Sequence, residues 1–330
     1  MKKEYLKYLA CPQCNRDLVL EESREDTSGL IETGSLKCLT CGLSYPIVNH
    51  IPRFVPIENY ASNFGLEWKL HSKTQYDKYS RSNISEKRFF EETKWGRDLK
   101  GQTILEVGSG SGRFTEQAIS TRAFVISVDY SNAVEVNYAA NGKNCFIIQG
   151  DIYHLPLKKE FFDKVLCIGV LQHTPDVKLS FLSLLDFLKV GGSIVVDVYK
   201  KNWATIFNTR YYVRPFVKDI APPKLYEYVK KYIDLMWPLA CLIRKIPKIG
   251  RAINWKLLIE DYSNLDLKDD MLKEWAYLDT FDVLSPAFDQ PQTLRTVRKW
   301  CMEAGLGNID VNYGYNGIEC RAMKVKKEQE

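Results

Sequence analysis

The stretch LEVGSGSGRF, residues 105–114, joins an apolar run to a helix through a turn with three glycines. Residues 103–107 are typical of a buried strand, and residues 113–120 open the helix. The next apolar run ends at Asp129, 19 residues after Gly110. A glycine turn with an acidic residue about twenty positions later is typical of a site for a ribose-bearing ligand at the carboxyl ends of parallel strands.

The glycine spacing narrows the class of ligand. A GxGxxG nicotinamide fingerprint would need glycine at Arg113, whereas the glycines are Gly108, Gly110 and Gly112, preceded by Glu106. An acidic residue inside the turn disfavours a neighbouring pyrophosphate. It suits a cationic ligand, such as a sulfonium with an α-amino group.

Strands and helices continue to alternate up to about residue 199. Apolar runs predict four further strands, at 124–128, 145–149, 164–170 and 193–198, and a helix at 177–189. Short apolar runs that alternate with helices predict right-handed crossovers and a parallel sheet that is buried on both faces.

Five successive motifs resemble those of class I S-adenosylmethionine-dependent methyltransferases. They are LEVGSGSGRF (105–114), VDYS (128–131), QGDIYHLP (149–156), FFDKVLCIGVLQHTPD (161–176) and LKVGGSIVVDVY (188–199). The resemblance implies an α/β fold with a Rossmann-like seven-stranded sheet and S-adenosylmethionine as cofactor. The resemblance assigns Glu106, Gly108 and Gly110 to the methionine end of the cofactor and Asp129 to the ribose. It assigns Asp151 and Ile152 to the adenine, and Gly169 to the end of the fourth strand.

Two CxxC pairs, Cys11 with Cys14 and Cys38 with Cys41, are separated by 23 residues that include a polar stretch predicted to form a hairpin. Two such turns can direct four thiolates at one centre, which suits zinc, and four thiolates leave no open position for catalysis. We therefore expect a structural zinc ribbon, and the segment resembles the ribbon module of tRNA-methyltransferase activator proteins. Seven basic and seven acidic residues make residues 1–57 neutral, which disfavours binding to a nucleic-acid backbone.

The other five of the nine cysteines occur singly, which a secreted disulfide framework does not show. The closest approach to a membrane span, residues 233–243, is too short and is interrupted by Asp234 and Pro238. Both observations predict a cytoplasmic protein.

Composition shifts and motifs predict five segments along the 330 residues. They are a zinc ribbon (1–57), an N-terminal helical lid (58–99), the cofactor-binding α/β core (100–199), a helical insertion after the fifth strand (200–292), and a C-terminal helix with a β-hairpin that completes the sheet (293–330). Gln75 is a candidate cofactor contact from the lid. Residues 315–318 predict the tight turn of the hairpin.

The net charge of +5, from 46 basic and 41 acidic residues, conceals a basic insertion. Residues 200–256 contain thirteen basic and three acidic residues, hence +10, interleaved with aromatic residues. Such a segment serves RNA, an anionic lipid, a sugar phosphate or a membrane surface, or is an ordinary solvated helical cap. The apolar residues 235–239 beside Arg244 and Lys245 favour a lipid-linked acceptor and peripheral contact with the inner membrane face over RNA.

Three residues are candidates for catalysis beyond the cofactor motifs. His173 follows the fourth strand, where it serves either as a general base or as a helix residue bonded to the backbone. Asp279 and Asp282 lie among turn residues on a segment that returns to the sheet, where they serve as a base, bind an acceptor hydroxyl or cap a turn.

The sequence thus predicts a methyltransferase for a small-molecule or lipid-linked acceptor, with a glycan among the candidates. The first alternative is an RNA methyltransferase, against which the neutral ribbon and the lack of an Asp/Asn-Pro-Pro-aromatic motif after the fourth strand both count. The second alternative is a cofactor-binding partner subunit without turnover of its own.

Overall fold

The computed structural model describes residues 1–56, 59–265 and 267–326. The chain begins with a 3₁₀ helix, Lys3–Tyr8, and an antiparallel sheet whose strands are neighbours in chain order. Its strands are β1 (Leu18–Glu25), β2 (Ile31–Cys38), β3 (Ser44–Val48) and β4 (Ile51–Pro52). The β1–β2 pair is the predicted hairpin between the two cysteine pairs. The predicted end of the ribbon, between residues 57 and 58, lies outside the described residues, as do the predicted last residues, 327–330.

Three helices follow the ribbon: α1 (Ser62–Leu70), α2 (Asp77–Ser80) and α3 (Ile84–Thr93). The fully buried Phe89 of α3 lies edge-on to Trp95, with the ring centroids 5.9 Å apart. The same ring packs against Phe114, just after the glycine turn. Burial of these aromatic rings attaches α3 to one face of the central sheet.

Seven strands form the central sheet. They are β5 (Thr103–Val107), β6 (Phe124–Asp129), β7 (Phe146–Gln149), β8 (Phe162–Cys167), β9 (Leu188–Val198), β10 (Leu306–Gly314) and β11 (Gly317–Lys324). Their order across the sheet is β10-β11-β9-β8-β5-β6-β7. Strands β5 to β9 are parallel, and β11 pairs antiparallel with both β9 and β10. The predicted seven-stranded α/β sheet and its final hairpin are confirmed.

The remaining helices cover the sheet and build the insertion. They are α4 (Arg113–Ser120), α5 (Val134–Asn141), α6 (Val177–Leu184), α7 (Trp203–Ile206), α8 (Arg210–Val217), α9 (Pro222–Ile243), α10 (Gly250–Lys256), α11 (Asp269–Leu284) and α12 (Leu294–Glu303). In the described ranges, no helix combines the length and the apolar character that a membrane crossing requires.

Two predicted elements were too long. Strand β8 ends at Cys167 rather than at residue 170, because Gly169 adopts a left-handed φ of 79° and donates its N–H to Asp197. Helix α6 ends at Leu184 rather than at residue 189, because Leu188 already pairs with Phe162 in the sheet.

The ribbon covers β7, which is the edge strand of the central sheet. The backbone N–H of Phe54 donates to the carbonyl of Gln149 at 2.8 Å, and the Arg53 guanidinium donates to the Gln149 side chain at 2.8 Å. Tyr5 stacks on Phe146 with the ring centroids 4.6 Å apart. The ribbon therefore pairs part of the exposed edge and shares a hydrophobic core with the sheet.

We expect Tyr5→Ala to lower the free energy of unfolding by about 3 kcal/mol, because Tyr5 is 8% exposed and its ring fills the junction between ribbon and sheet. Urea denaturation measures the change. Tyr79→Ala is the control, because that ring is 48% exposed and its loss should change the value by less than about 0.5 kcal/mol. Equal effects of both substitutions would contradict a shared core.

Candidate active site and metal centre

The glycine turn adopts a backbone that other residues rarely adopt. The φ angles are 81° at Gly108, 53° at Gly110 and 94° at Gly112. All three lie in the left-handed region, which is strained for a residue with a Cβ atom. The turn after β5 is therefore glycine-rich because of its geometry.

The turn also lies too close to its neighbours to carry side chains. A Cβ atom on Gly108 would lie 2.1 Å from the side chain of Val170, and one on Gly110 would lie 2.8 Å from Trp68 Nε1. Gly169, at the end of the neighbouring strand, has no atom within 4 Å of its Cβ position and faces open space. The turn at residues 108–112 and Gly169 lie at neighbouring strand ends, and we call the surface that they form the cradle. Such a surface fits a flat, extended cofactor.

Asp129, at the end of β6, is held beside this turn. One carboxylate oxygen accepts the N–H of Gly110 at 2.8 Å, and the other accepts the N–H and the hydroxyl of Ser131 at 2.8 and 2.7 Å. Burial nevertheless raises the pKa of Asp129. The side chain is fixed at the strand end, and its remaining lone pairs are available to ligand hydroxyl groups.

Glu106 lies on β5, two residues before Gly108 of the turn. It is 3% exposed and accepts hydrogen bonds from the hydroxyls of Thr115 and Ser127. Burial raises its pKa to about 7, although the two hydrogen bonds favour the charged form. The carboxyl group braces the start of α4 from below, and its predicted position at the methionine end stays a prediction.

The predicted adenine residues lie past the end of β7. The Asp151 carboxylate accepts the N–H of Tyr153 at 3.0 Å and is 25% exposed, whereas Ile152 is buried. Nearby, the rings of Tyr60 and Tyr130 stack with their centroids 4.8 Å apart. Asp151 and Asp129 both act on the pKa of Tyr60, which burial raises, so these side chains share one side of the turn.

The lid helices reach the turn through residues that the sequence had not indicated. Besides Trp68, the hydroxyl of Tyr76 donates to the Ser111 carbonyl at 2.7 Å and accepts from Asn141 at 3.1 Å. The predicted lid residue, Gln75, is buried and donates to Asp279 at 3.4 Å. Gln75 therefore connects the lid to Asp279, which is one of the predicted catalytic residues.

Asp279 and Asp282 lie on one face of α11, three residues apart. The prediction that they lie among turn residues was wrong, because the apolar residues between and around them continue a helix from Asp269 to Leu284. Asp282 accepts a hydrogen bond from the Tyr199 hydroxyl at 3.3 Å. The ring of His173 lies 5.3 Å from that of Tyr199. The fold thus brings the three predicted catalytic residues to one place.

His173 is hydrogen-bonded to the backbone, which is one of the two roles considered from the sequence, and the role of general base stays a prediction. Its Nδ1 lies 3.1 Å from the carbonyl of Phe288, which requires the proton on Nδ1 and leaves the lone pair on Nε2. Burial lowers the pKa of His173 to about 4. The neutral ring is held by the backbone and can still accept a hydrogen bond or a proton through Nε2.

Further polar side chains surround the same space, which we call the carboxylate chamber. Burial raises the pKa of Asp279 to about 7, that of Asp282 to about 6 and that of Glu260 to about 8, yet all three side chains retain partial exposure. They therefore face an interior space. The chamber residues are Glu67, Gln75, Arg113, His173, Tyr199, Arg210, Arg214, Glu260, Tyr262, Asp279, Asp282 and Asp289.

Several chamber atoms lack hydrogen-bond partners. Among the described residues these include both carboxylate oxygens of Glu67 and Asp289 and the amide oxygen of Gln75. The nearest cation to Asp289 is Arg210, at 3.7 Å. Buried polar atoms without partners are costly, so the chamber suits a ligand that brings its own donors and acceptors.

The four cysteines of the two pairs meet at one point of the ribbon. All four sulfur atoms lie within 4.8 Å of one another, with Cys11 3.6 Å from Cys41 and Cys14 3.4 Å from Cys38. Ligands about 2.3 Å from a tetrahedral zinc lie roughly 3.8 Å apart, so the donor set fits the metal.

Two family models match the chain. Residues 105–196 match the methyltransferase domain, and residues 2–49 match the Trm112p-like protein. Residues 105–196 form a methyltransferase domain. The resemblance drawn from the five motifs and the cysteine pairs is thereby confirmed, together with the class of cofactor that the domain uses.

Curated relatives align with part of the chain. The ubiquinone/menaquinone biosynthesis C-methyltransferase of Wigglesworthia glossinidia brevipalpis is 25% identical over 48% of this chain and 58% of its own length. The tRNA U34 carboxymethyltransferase of Ruthia magnifica is 28% identical over 42% of this chain and 48% of its own length. The chain thus spans about half the length of these two relatives.

Among solved structures, the complex of the Haloferax volcanii Trm112 methyltransferase activator with a methyltransferase is similar to this chain. The TM-score is 0.44 and the identity 12%, over 80% of this chain and 98% of that one.

We expect about one zinc ion per chain by elemental analysis. Cys38→Ser should abolish zinc retention and lower the melting temperature, because the small ribbon depends on the metal and covers the sheet edge. Cys241→Ser, a single cysteine on α9, should retain the metal. Wild-type protein that lacks zinc but melts at the same temperature as zinc-treated protein would refute the metal centre.

Proposed function

We propose that the protein transfers the methyl group of S-adenosylmethionine to a small-molecule or lipid-linked acceptor, with a glycan as the preferred class. The observation that carries the proposal is the carboxylate chamber. Gln75 of the chamber donates to Asp279, and the next residue, Tyr76, donates to the Ser111 carbonyl of the glycine turn. The unpartnered carboxylate and amide oxygens of the chamber match the hydroxyl donors of a sugar.

The residues around the turn fit the cofactor. In our proposal the cofactor lies along the backbone of Gly108 and Gly110, Gly169 leaves open space for it, and Asp129 accepts the ribose hydroxyls. Asp151 and Ile152 contact the adenine, while Glu106 and Gln75 lie towards the methionine end. S-adenosylmethionine supplies an electrophilic methyl group when it is bound.

The chamber residues have distinct tasks in this proposal. The Asp279–Asp282 pair accepts the proton of the acceptor hydroxyl, because burial raises both pKa values towards neutrality, where a general base is effective. His173, through Nε2, accepts a hydrogen bond that orients the acceptor. Arg210 and Arg214 balance part of the negative charge.

The proposed acceptor differs from that of the quinone-biosynthesis relative. A quinone ring is largely apolar, whereas the chamber presents carboxyl, guanidinium, amide and phenol groups. A lipid-linked glycan combines a polar group for the chamber with an apolar anchor. The proposal places the protein in the cytoplasm, peripheral to the inner membrane face, with residues 200–256 towards the bilayer.

An RNA acceptor is the second candidate, favoured by the Trm112p-like domain and by the tRNA-modifying relative. The buried position of the chamber and the neutral ribbon support a small acceptor instead. A partner subunit without turnover would bind the cofactor but transfer no label. Incubation with labelled cofactor and fractionated cell extract separates the three: label in a lipid or glycan fraction supports our proposal, and nuclease-sensitive label supports RNA.

Asp129→Ala should weaken the binding of S-adenosylmethionine at least tenfold by calorimetry, because it removes the proposed acceptor of the ribose hydroxyls and the anchor of Gly110. The control is Asp186→Ala, whose carboxylate is 56% exposed and far from the turn in the fold. An unchanged affinity of the Asp129 variant would rule out this role.

The rate of methyl transfer should rise from about pH 5 to about pH 8. The Asp279–Asp282 pair is protonated below its raised pKa values, about 7 and 6, and can accept a proton only above them. Asp282→Asn should lower kcat about 100-fold with little change in cofactor affinity. Asp270→Asn, at an exposed position of the same helix, should change neither. A flat pH profile in wild type would exclude the pair as the base.

A further inference from the structure

Helix α9 leaves a stripe of apolar side chains on the surface. Tyr228, Tyr232, Leu235, Leu239 and Leu242 follow one another at intervals of four, three, four and three residues, which places them along one side of a helix. Leu235 is 78% exposed and Leu242 63%. The stripe is about 21 Å long at 1.5 Å per residue.

This stripe is separate from the buried face of the same helix. Leu225, Val229 and Ile233 are at most 4% exposed and belong to a cluster that includes Phe281 of α11. One side of α9 thus packs behind the carboxylate chamber, and an adjacent side remains outside. A helix needs only one apolar stripe to pack on its own protein, so the second is available to something else.

Exposed aromatic side chains extend the stripe onto neighbouring segments. Phe207, on the turn after α7, is 67% exposed, and its carbonyl accepts a hydrogen bond from Lys256. The carbonyl of Leu257, which follows Lys256 in the chain, accepts a hydrogen bond from the Tyr232 hydroxyl. Trp203 and Phe216, on α7 and α8, are 84% and 83% exposed. We call the α9 stripe together with Phe207 the apolar face.

The charges of the insertion divide into two groups in the fold. Arg210 and Arg214 turn inward to the chamber. Arg244 is 12% exposed, packs on Trp237 and pairs with Asp269, and Arg251 is half-buried and donates to the Asp261 carbonyl. The exposed basic residues are all lysines. They are Lys200, Lys201, Lys218, Lys224, Lys230, Lys231, Lys245, Lys248 and Lys256.

Only three acidic residues lie in the same range of sequence, at positions 219, 227 and 234. On a helical wheel of 100° per residue, Lys224 and Lys231 lie on the far side of the α9 stripe from the buried residues. Lys231 pairs with Glu227 at 2.6 Å, so the excess charge there comes from Lys224. The apolar face is therefore flanked by positive charge, an arrangement typical of a helix that lies in the surface of an anionic bilayer.

We propose that residues 200–256 dock the protein on an anionic lipid bilayer, with the apolar face in the headgroup layer and the lysines on the phosphates. A second copy of the chain is disfavoured, because a two-fold pairing of this face would place lysines against lysines. The leucines of the stripe favour a bilayer over RNA, because leucine offers bases no surface for stacking, whereas the aromatic rings suit both, so RNA binding is one outcome of the test. This inference rests on the proposed function, because a lipid-linked acceptor is the reason that the protein would need a bilayer.

Co-sedimentation with vesicles tests the docking. Full-length protein should sediment with phosphatidylcholine vesicles that contain about one third phosphatidylglycerol, and the bound fraction should fall as salt is added. Pure phosphatidylcholine should retain much less. Leu235→Asp combined with Leu239→Asp should lower the vesicle partition coefficient at least tenfold. Met302→Asp, at a 61% exposed position of α12, is the matched control and should bind as wild type does.

Three outcomes would overturn the docking surface. The first is equal sedimentation of the double variant and wild type. The second is a dimer that the double variant dissociates, and the third is retention of RNA but not of vesicles. Calorimetry of S-adenosylmethionine binding by the same proteins keeps the two proposals apart. Cofactor binding without vesicle binding contradicts only the docking, and vesicle binding without cofactor binding contradicts only the proposed function.

Discussion

The glycine turn at residues 108–112 is the constraint on which the site depends. All three glycines have positive φ angles, and three separate elements occupy the space that side chains would need. Val170 follows β8, Trp68 comes from the lid and Asn137 from α5. Because each packs directly on a bare backbone, the strand loop, the lid and the neighbouring helix are all positioned relative to the same cradle. A larger residue in the turn would move them and fill the space for a ligand.

The carboxylate chamber is the second feature on which the site depends, and it affects the free energy of folding. Burial is the larger cause of the raised pKa values of Glu67, Asp279 and Asp282. The charges of Asp279 and Asp282 also raise the pKa of Glu67, Asp282 raises that of Asp279, and Asp289 raises that of Asp282. Such a cluster costs folding free energy unless it is protonated or bound. The stability of the rest comes from the continuous core of sheet and ribbon, which leaves the chamber free to be shaped for ligand chemistry.

Local signals were sufficient for much of the molecule. The cysteine pairs, the turn and the strands β5 and β6 follow from short-range rules of spacing and periodicity, and the structure agrees with them. The errors arose where partners distant in sequence decide. Strand β8 ends early because Asp197 takes the N–H of Gly169, and Asp279 lies on a helix whose apolar side packs on α9. Glu67 and Glu260 gave no signal, since single acidic residues are common on any surface.

The sequence by itself determined the class of sheet, the cofactor type and the four sulfur ligands, because each depends on residues that are neighbours along the chain. Only the tertiary structure decided which polar side chains form the carboxylate chamber. It separated the basic insertion into arginines that are buried or half-buried and lysines that remain exposed. It also gathered His173, Tyr199 and Asp282 from three distant segments. The physical reason is that burial and charge coupling are properties of the packed chain, and no local pattern encodes which side chains will share a space.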